Sequence, residues 1–298
     1  MYIPPQTLRC FLAVADELHF GRAAAVLHMT GPALSQQISR LEKDLRFALF
    51  ERSSRRVELT EAGVELIPHA RAVVAASQTL LRWRDTARLG QRGIDIGFMA
   101  AGAGQLTSDV LDRLRCAHPG LHIRLRHLEW SEQLTPLLAG ELDAVFVREP
   151  FPADGVRRRH VLSEQRVAVL AHDHPLAGRE SIRFEEIASE PFLGSSGGPL
   201  EWTDFWMVNP RPDGTRVEPC IVVSTVEELL EAVACGAGVT TTPQSLPSYY
   251  RHPRVSFVPI ADLSPSVVTL CTLDVNPRPE LDLLFEALDY VKHKAPRE

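Results

Sequence analysis

The chain predicts a multidomain protein of mixed α+β and α/β class, with a helical head, one long helix and an α/β body. Three observations carry this. An amphipathic helix with short flanking elements lies within the first sixty residues, an unbroken helical periodicity follows, and beyond about residue 90 short strands alternate with helices. The 298 residues suffice for two or three domains, and 45% hydrophobic residues gives each of them material for a core.

The head is organised around Met29 to Leu45. Leu34, Ile38, Leu41 and Leu45 recur at intervals of four, three and four, which is one stripe of an α-helix. Thr30 caps its start, and Pro32 suits a first turn in which a missing N–H costs nothing. The opposite face carries Ser35, Gln36, Ser39 and Arg40, groups able to bond phosphates and base edges in a major groove. Phe20, Ala23, Ala24 and Leu27 mark a shorter helix ahead of it, joined through His28-Met29-Thr30. The pattern is a helix-turn-helix or, failing that, an ordinary helix pair in a bundle. Thr7 to Leu18 reads as a first helix whose face of Leu8, Phe11, Leu12, Ala15 and Leu18 packs behind the pair. Residues 49–60 read as two short strands around a basic tip. Arg52, Ser54, Arg55 and Arg56 there either grip phosphates or form a solvated turn.

Thr60 is the N-cap of a long helix reaching about Arg88. Leu66, Val73 and Leu80 stand seven residues apart in it, a spacing that suits a helix–helix seam, while Pro68 should kink or loosen its first turns. The other reading is a helix folded back on its own domain. In the body, strands are expected at Ile94–Phe98, Leu121–Leu128, Ala144–Val147, Val167–Ala171, Phe192–Leu193, Cys220–Val223, Val239–Thr241 and Val267–Leu273. Helices are expected at Gln105–Arg115, Ser131–Ala139, from about Leu200, at Val226–Cys235 and at Glu280–Lys292. That alternation means an α/β domain with a mainly parallel sheet.

Leu8-Arg9-Cys10-Phe11-Leu12-Ala13-Val14-Ala15, Phe20-Gly21-Arg22-Ala23-Ala24, Pro32-Ala33-Leu34-Ser35, Leu49-Phe50-Glu51-Arg52 and Leu59-Thr60-Glu61-Ala62-Gly63 resemble, in register, the LysR-type transcriptional regulators. Glu129-Trp130-Ser131-Glu132-Gln133-Leu134, His174-Pro175-Leu176 and Ala234-Cys235-Gly236-Ala237-Gly238-Val239 resemble their effector-binding portion more loosely. The resemblance implies a winged helix-turn-helix DNA-binding domain at 1–59, a dimerising linker helix at 60–89 and an effector-binding domain at 90–298. This last would have the two-lobed fold of periplasmic solute receptors, lobe I at 91–162 and 266–298 and lobe II at 163–265. It also implies double-stranded operator DNA, RNA polymerase and a small-molecule effector as partners, a homodimer or homotetramer, and a cytoplasmic location. Thr30, Gly31 and Pro32 at the start of the recognition helix would then lie against DNA. Four positions depart from the family's pattern: Gly31 and Gln36 stand where glutamine and arginine are common, Arg46 where glycine is, and Ala101 where a hydroxyl is.

A two-lobed body takes its ligand at the carboxyl ends of strands. Ala100, Ala101 and Gly102 form a small-residue loop that opens a helix, whose free N–H groups attract anions. Ser131 starts another helix, and Ser195 and Ser196 offer hydroxyls or a solvated loop. Arg148 ends a strand and either holds a ligand carboxylate in two bonds or pairs with Glu149 or Glu129 at the surface. Trp202 lines the pocket or belongs to the core, and Thr225 and Thr242 stand at element ends. The effector expected from these groups is a small carboxylate, aromatic ones included. Phe146-Val147-Arg148-Glu149-Pro150 resembles the branch that senses aromatic-degradation intermediates.

The charge divides unevenly. Residues 1–89 hold 12 Lys/Arg against 9 Asp/Glu, or +3, and the remainder 20 against 29, or −9, within a total of −6. A mildly basic head on an acidic body fits local phosphate contacts. No run of eighteen apolar residues and no signal-peptide pattern occurs, so no membrane partner is expected. The five cysteines lack metal-ligand spacing and read as reduced thiols, so neither a metal nor a cofactor is expected. Two other functions compete. A solute-binding receptor without a DNA role would use the body alone and leave the head unexplained. An enzyme is invited by His69, His118, His160 and the run His172-Asp173-His174, but no nucleophile elbow, phosphate loop or metal spacing accompanies them.

Overall fold

The computed structural model describes the backbone of residues 2–52, 56–89, 92–99, 102–152, 155–274 and 278–294, with side chains for all of these except 52, 82, 83 and 85–89. The chain divides into two compact units, one of Met1–Gly90 with Leu138–Glu141, the other of Gln91–Leu137 with Leu142–Glu298.

The head contains α1 (Pro5–Glu17), α2 (Phe20–Val26), α3 (Gly31–Leu45), β1 (Phe50–Arg52) and β2 (Val57–Leu59). Its core takes Leu8, Phe11 and Val14 from α1, Ala23 and Ala24 from α2, and Leu34, Ile38 and Leu41 from α3. The apolar stripe expected on α3 is therefore the buried one. Phe50 at the start of the wing closes this core, its ring 5.5 Å from Phe11 and 6.0 Å from Phe20. Leu18 was expected on the buried face of the first helix. It instead ends α1 in a left-handed conformation with φ 45° and is 46% exposed.

Thr30 caps α3, its Oγ1 accepting from the Ala33 amide at 3.4 Å. At the other end Arg46 takes the left-handed conformation itself, φ 64°, where glycine would meet no steric cost. Glu42 ties this end of α3 to the wing, since its Oε1 accepts from the Leu49 amide at 2.9 Å and the Phe50 amide at 3.3 Å. The wing is an antiparallel pair with Phe50 opposite Leu59 and Arg52 opposite Val57. Ser54, Arg55 and the Arg52 side chain lie outside the described residues.

The long helix α4 spans Glu61–Leu89, 29 residues and roughly 43 Å at about 1.5 Å per residue. It is one continuous helix through Pro68, with Ile67 and Ala70 on either side packed in the head's core. Thr60 joins helix to wing: its hydroxyl donates to the Ala48 carbonyl at 2.7 Å and accepts from the Gly63 amide at 3.0 Å. At Gly63 a Cβ would lie 2.3 Å from the Leu49 carbonyl oxygen, so only glycine lets the two segments meet this closely. The expected seam needs one correction. Leu66 packs against the head's own core, whereas Val73 (44% exposed) and Leu80 (62%) face solvent beside Leu81.

The body opens with β3 (Arg92–Met99), α5 (Gln105–Ala117), β4 (Leu121–Leu128), α6 (Thr135–Leu138), β5 (Ala144–Arg148) and β6 (Val156–Glu164). Then come β7 (Arg166–Ala171), β8 (Leu193–Ser195), α7 (Leu200–Met207), β9 (Ile221–Val223), α8 (Val226–Ala234), β10 (Thr240–Pro243) and β11 (Val255–Pro259), before β12 (Ser266–Leu273) and α9 (Pro279–Lys294). One five-stranded sheet runs in the order β4-β3-β5-β12-β6. The other sheets are β10-β7-β11 and the pair β8-β9. The chain thus leaves the first lobe after β6 and returns at β12. The expectation of a mainly parallel sheet holds for only part of this. β3 is parallel to β4 and β5, but the returning strand β12 is antiparallel to both β5 and β6, and β7 is antiparallel to both its neighbours.

Ile94, Ile96, Phe146 and Leu270 of the first sheet pack under Val110 and Leu114 of α5 and Leu284 and Leu288 of α9. The second lobe has its own core around Leu170, Phe184, Phe192 and Val258.

Candidate functional site

The outward face of α3 matches its expected composition. Pro32, Gln36, Ser39 and Arg40 are exposed, Ser35 is half-buried, and Gly31 has open space within 4 Å of where a side chain would begin. Burial of Leu34, Ile38 and Leu41 turns this polar face away from the core, so a single helix presents an amide, hydroxyls and a guanidinium together. Arg56 at the wing is exposed and pairs with Glu58 at 2.9 Å. An exposed pair of this kind is worth little and yields to a phosphate.

In the body, Arg148 departs from both expected readings. It sits at the end of β5 with 5% of its surface exposed. Its Nη2 lies 2.8 Å from Glu164 Oε1 and also donates to the Gly102 carbonyl at 3.1 Å and Ser245 Oγ at 3.3 Å. Its Nη1 donates to Ser266 Oγ at 3.0 Å. Glu164 in turn accepts from the Ser245 amide at 2.6 Å and its hydroxyl at 3.0 Å. Neither Glu149 nor Glu129 is its partner, and the fork expected to hold a ligand is already engaged. Burial pushes the guanidinium's pKa down and the Glu164 carboxylate pushes it back up. Glu164 ends β6, Ser266 begins β12 and Ser245 follows β10, so this cluster ties together both connections between the lobes.

Beside it lies a cavity of about 60 Å³, lined by Met99, Trp130 and Arg148 from the first lobe and chiefly by α7, β8, α8 and β10 from the second. Trp130 and Trp202 meet across the lobes with ring centroids 5.8 Å apart. Of the residues expected here, Arg148, Ser195, Trp202 and Thr242 line it. Ser195 faces Thr203, their hydroxyl oxygens 3.3 Å apart. Trp202 and Thr242 are each 5% exposed, and neither the indole N–H nor the Thr242 hydroxyl has a hydrogen-bond partner among the described residues.

The other expected contacts are spent elsewhere. Ser131 lies in a turn, the helix beginning only at Thr135, so it offers no helix N-terminus. It packs on Gly197, where a Cβ would lie 2.6 Å from the Ser131 Cβ. Ser196 Oγ meets Ser224 Oγ at 2.8 Å, and Thr225 caps α8 by accepting from the Glu228 amide at 3.1 Å. In the described part of the loop before α5, two amides are already engaged. The Gly102 amide donates to the Met99 carbonyl at 2.6 Å, and the Ala103 amide to Thr107 Oγ1 at 2.8 Å. Ala100 and Ala101 lie outside the described residues.

Three further residues of this region were not expected from the sequence. Trp206, 8% exposed, lines the cavity with its Nε1 unpartnered among the described residues. Thr241 lines it too and donates to the Trp206 carbonyl at 2.5 Å. Arg166, 2% exposed, stacks 4.2 Å from the Phe205 ring centroid and 5.6 Å from that of Trp206, with Nη2 donating to the Phe205 carbonyl and Thr241 Oγ1. Burial pushes its pKa down to about 10. The spacing of Trp202 and Trp206, one helical turn apart, was the available signal for the first of these.

Residues 5–64 match the model of the bacterial regulatory helix-turn-helix protein, lysR family, and residues 87–289 match that of the LysR substrate binding domain. The HTH-type transcriptional regulator YnfL of Escherichia coli strain K12, whose function is uncharacterised, is 35% identical over 268 residues, 88% of this chain and 89% of that one. The HTH-type transcriptional regulator AlsR of Bacillus subtilis strain 168 is 32% identical over 241 residues, 80% of each. Among solved structures, a cysteine-to-aspartate variant of full-length OxyR from Pseudomonas aeruginosa superposes with a TM-score of 0.56 at 25% identity, covering 97% of this chain and 95% of that one.

Proposed function

The chain belongs to the LysR family of DNA-binding transcriptional regulators, and on that premise we propose that it reads an operator with the outward face of α3 and responds to a small molecule held in the body's cavity. The observation that carries the first half is the exposed set of Gln36, Ser39 and Arg40 on one helix, backed by a wing. Gln36 reads a base edge, Ser35 and Ser39 bond phosphates or bases, and the wing arginines grip the backbone. Val73, Leu80 and Leu81 give α4 an exposed apolar stripe, which we assign to pairing with the same helix of a second copy. Partly palindromic half-sites spaced by helical turns follow from such a dimer or from a tetramer built of two.

The second half rests on the cavity and its place beside both interlobe connections. A ligand there shifts the regulator by its different affinity for two arrangements of the lobes, and the change is passed to RNA polymerase through the DNA-bound heads. We assign no catalytic step: of the histidines that invite one, His160 meets only the exposed Ser163 hydroxyl at 2.9 Å, and His174 lies 3.3 Å from the Glu190 carboxylate. Among the described residues no helix is long and apolar enough to cross a membrane, and we place the protein in the cytoplasm with the chromosome it reads. An occupancy map of the protein on its own chromosome tests this reading. Discrete sites sharing a partly palindromic motif are expected, and occupancy without sequence preference would overturn it.

A further inference from the structure

The cavity's lining specifies the chemistry of its occupant. Among the described residues its walls are almost wholly apolar: Met99, Leu193, Met207, Leu229 and Leu246 with the Trp130, Trp202 and Trp206 rings. The one charged side chain that lines it, Arg148, is already matched by Glu164 at 2.8 Å. Three uncharged polar groups of lining residues are buried without a hydrogen-bond partner among the described residues: Trp202 Nε1, Trp206 Nε1 and Thr242 Oγ1. All three residues are more than nine-tenths buried, and all three line this one cavity. A buried donor without a partner costs free energy, and an occupant of the cavity that accepts hydrogen bonds would relieve that cost. An indole N–H can only donate, so the occupant presents acceptors.

We infer that the effector is an uncharged, largely apolar small molecule bearing carbonyl-type oxygen acceptors, held by the two indole N–H groups and the Thr242 hydroxyl, and not a carboxylate. The inference rests on the cavity being the effector site. A carboxylate entering it would lose its hydration and find no unmatched cation on the walls. Arg166 is the one charge whose pull favours an anion. It stands behind Trp206 and Thr241, outside the lining, with Nη2 donated to the Phe205 carbonyl and Thr241 Oγ1 and its buried Nε unpartnered among the described residues, so its charge reaches the cavity only through those two side chains. The volume of about 60 Å³ holds roughly four to six waters, so the occupant is small or enters as the lobes part.

Shape and charge separate cleanly in matched sets. Titration calorimetry of the full chain with acetophenone, benzamide and benzoate, and with butan-2-one, propionamide and propionate, compares occupants of nearly one shape. The neutral members are expected to bind at least about tenfold more tightly than their carboxylates. Trp202→Phe and Trp206→Phe keep a ring but remove the N–H, and each should weaken the neutral ligands about fivefold, a hydrogen bond's worth. Circular dichroism confirms that each variant is folded. Carboxylates binding as tightly as the ketones would overturn the inference while leaving the cavity as effector site. Unchanged affinity in both Phe variants would overturn it too, since the indoles would then hold nothing. Binding by no compound of either set would overturn the inference and the effector site together.

Discussion

On α3 the side chains of Gln36, Ser39 and Arg40 face solvent, whereas Arg148, Arg166, Trp202, Trp206 and Thr242 in the body are all at least nine-tenths buried. In the head the buried side chains are apolar apart from Thr7, and polar chemistry is carried outward. In the body polar groups are turned inward, where each must be matched by a neighbour or by an occupant. The difference separates stability from recognition. An exposed group can be exchanged with little effect on folding and full effect on what it touches, while a buried one affects folding first.

The largest effect that would sharpen this contrast belongs to Glu164. Glu164→Ala leaves Arg148 buried without its counter-charge and should cost about 3–5 kcal/mol of the body's stability in urea denaturation. Replacing both partners with apolar residues, Arg148→Met with Glu164→Leu, should restore most of it. A single-variant loss below about 1 kcal/mol would show the pair to be solvated and break the comparison at its strongest point.

Next in size comes the apolar stripe on α4. Val73→Glu should weaken self-association by about 2–3 kcal/mol in sedimentation, because a charge would enter an apolar contact, while leaving the thermal stability of the head unchanged. A fully dimeric Val73→Glu protein would place the pairing surface elsewhere. Gln36→Ala should then cost about 1–3 kcal/mol at the cognate operator with less than about 0.5 kcal/mol of folding stability. Anisotropy titrations against operators altered base by base would show the preference relaxing at one position. A uniform loss over all sequences would move Gln36 to the phosphates.

The smallest effect runs the other way. Arg46→Gly removes a side chain from a left-handed position and should stabilise the head by about 1 kcal/mol, read from its denaturation midpoint. A destabilised Arg46→Gly head would mean that the arginine's contacts outweigh its backbone cost.

The same contrast explains what could be read from the chain. The recognition helix was legible because one periodic segment contains everything: Leu34, Ile38 and Leu41 fix the buried side, Thr30 the start, and the polar face follows from geometry. The cavity was not, because it is assembled from separated segments. The strand β6, VRRRHVLSE, carries three arginines and a histidine that mask its alternation, so Glu164 at its end gave no sign of being Arg148's partner. Ser245, in the connection after β10, and Ser266, the first residue of β12, complete that cluster without any sequence pattern that marks them. Trp202 and Trp206 share a helix face with core residues, and only the fold shows that both line a cavity with their N–H groups unpartnered among the described residues.

Gly63 has a mechanical consequence. With the Leu49 carbonyl seated where a side chain would stand, Thr60 bridging both segments, and Ala70 and Val74 sunk in the head's core, the wing and about the first four turns of α4 are a single casting. There is no wrist between them. In a dimer paired through α4, a turn of one long helix about its axis swings its wing through the same angle, so the reach of the two wings along DNA is set by the pairing alone. A bulkier residue at 63 would act like grit in a bearing: each half intact, the lever between them out of true.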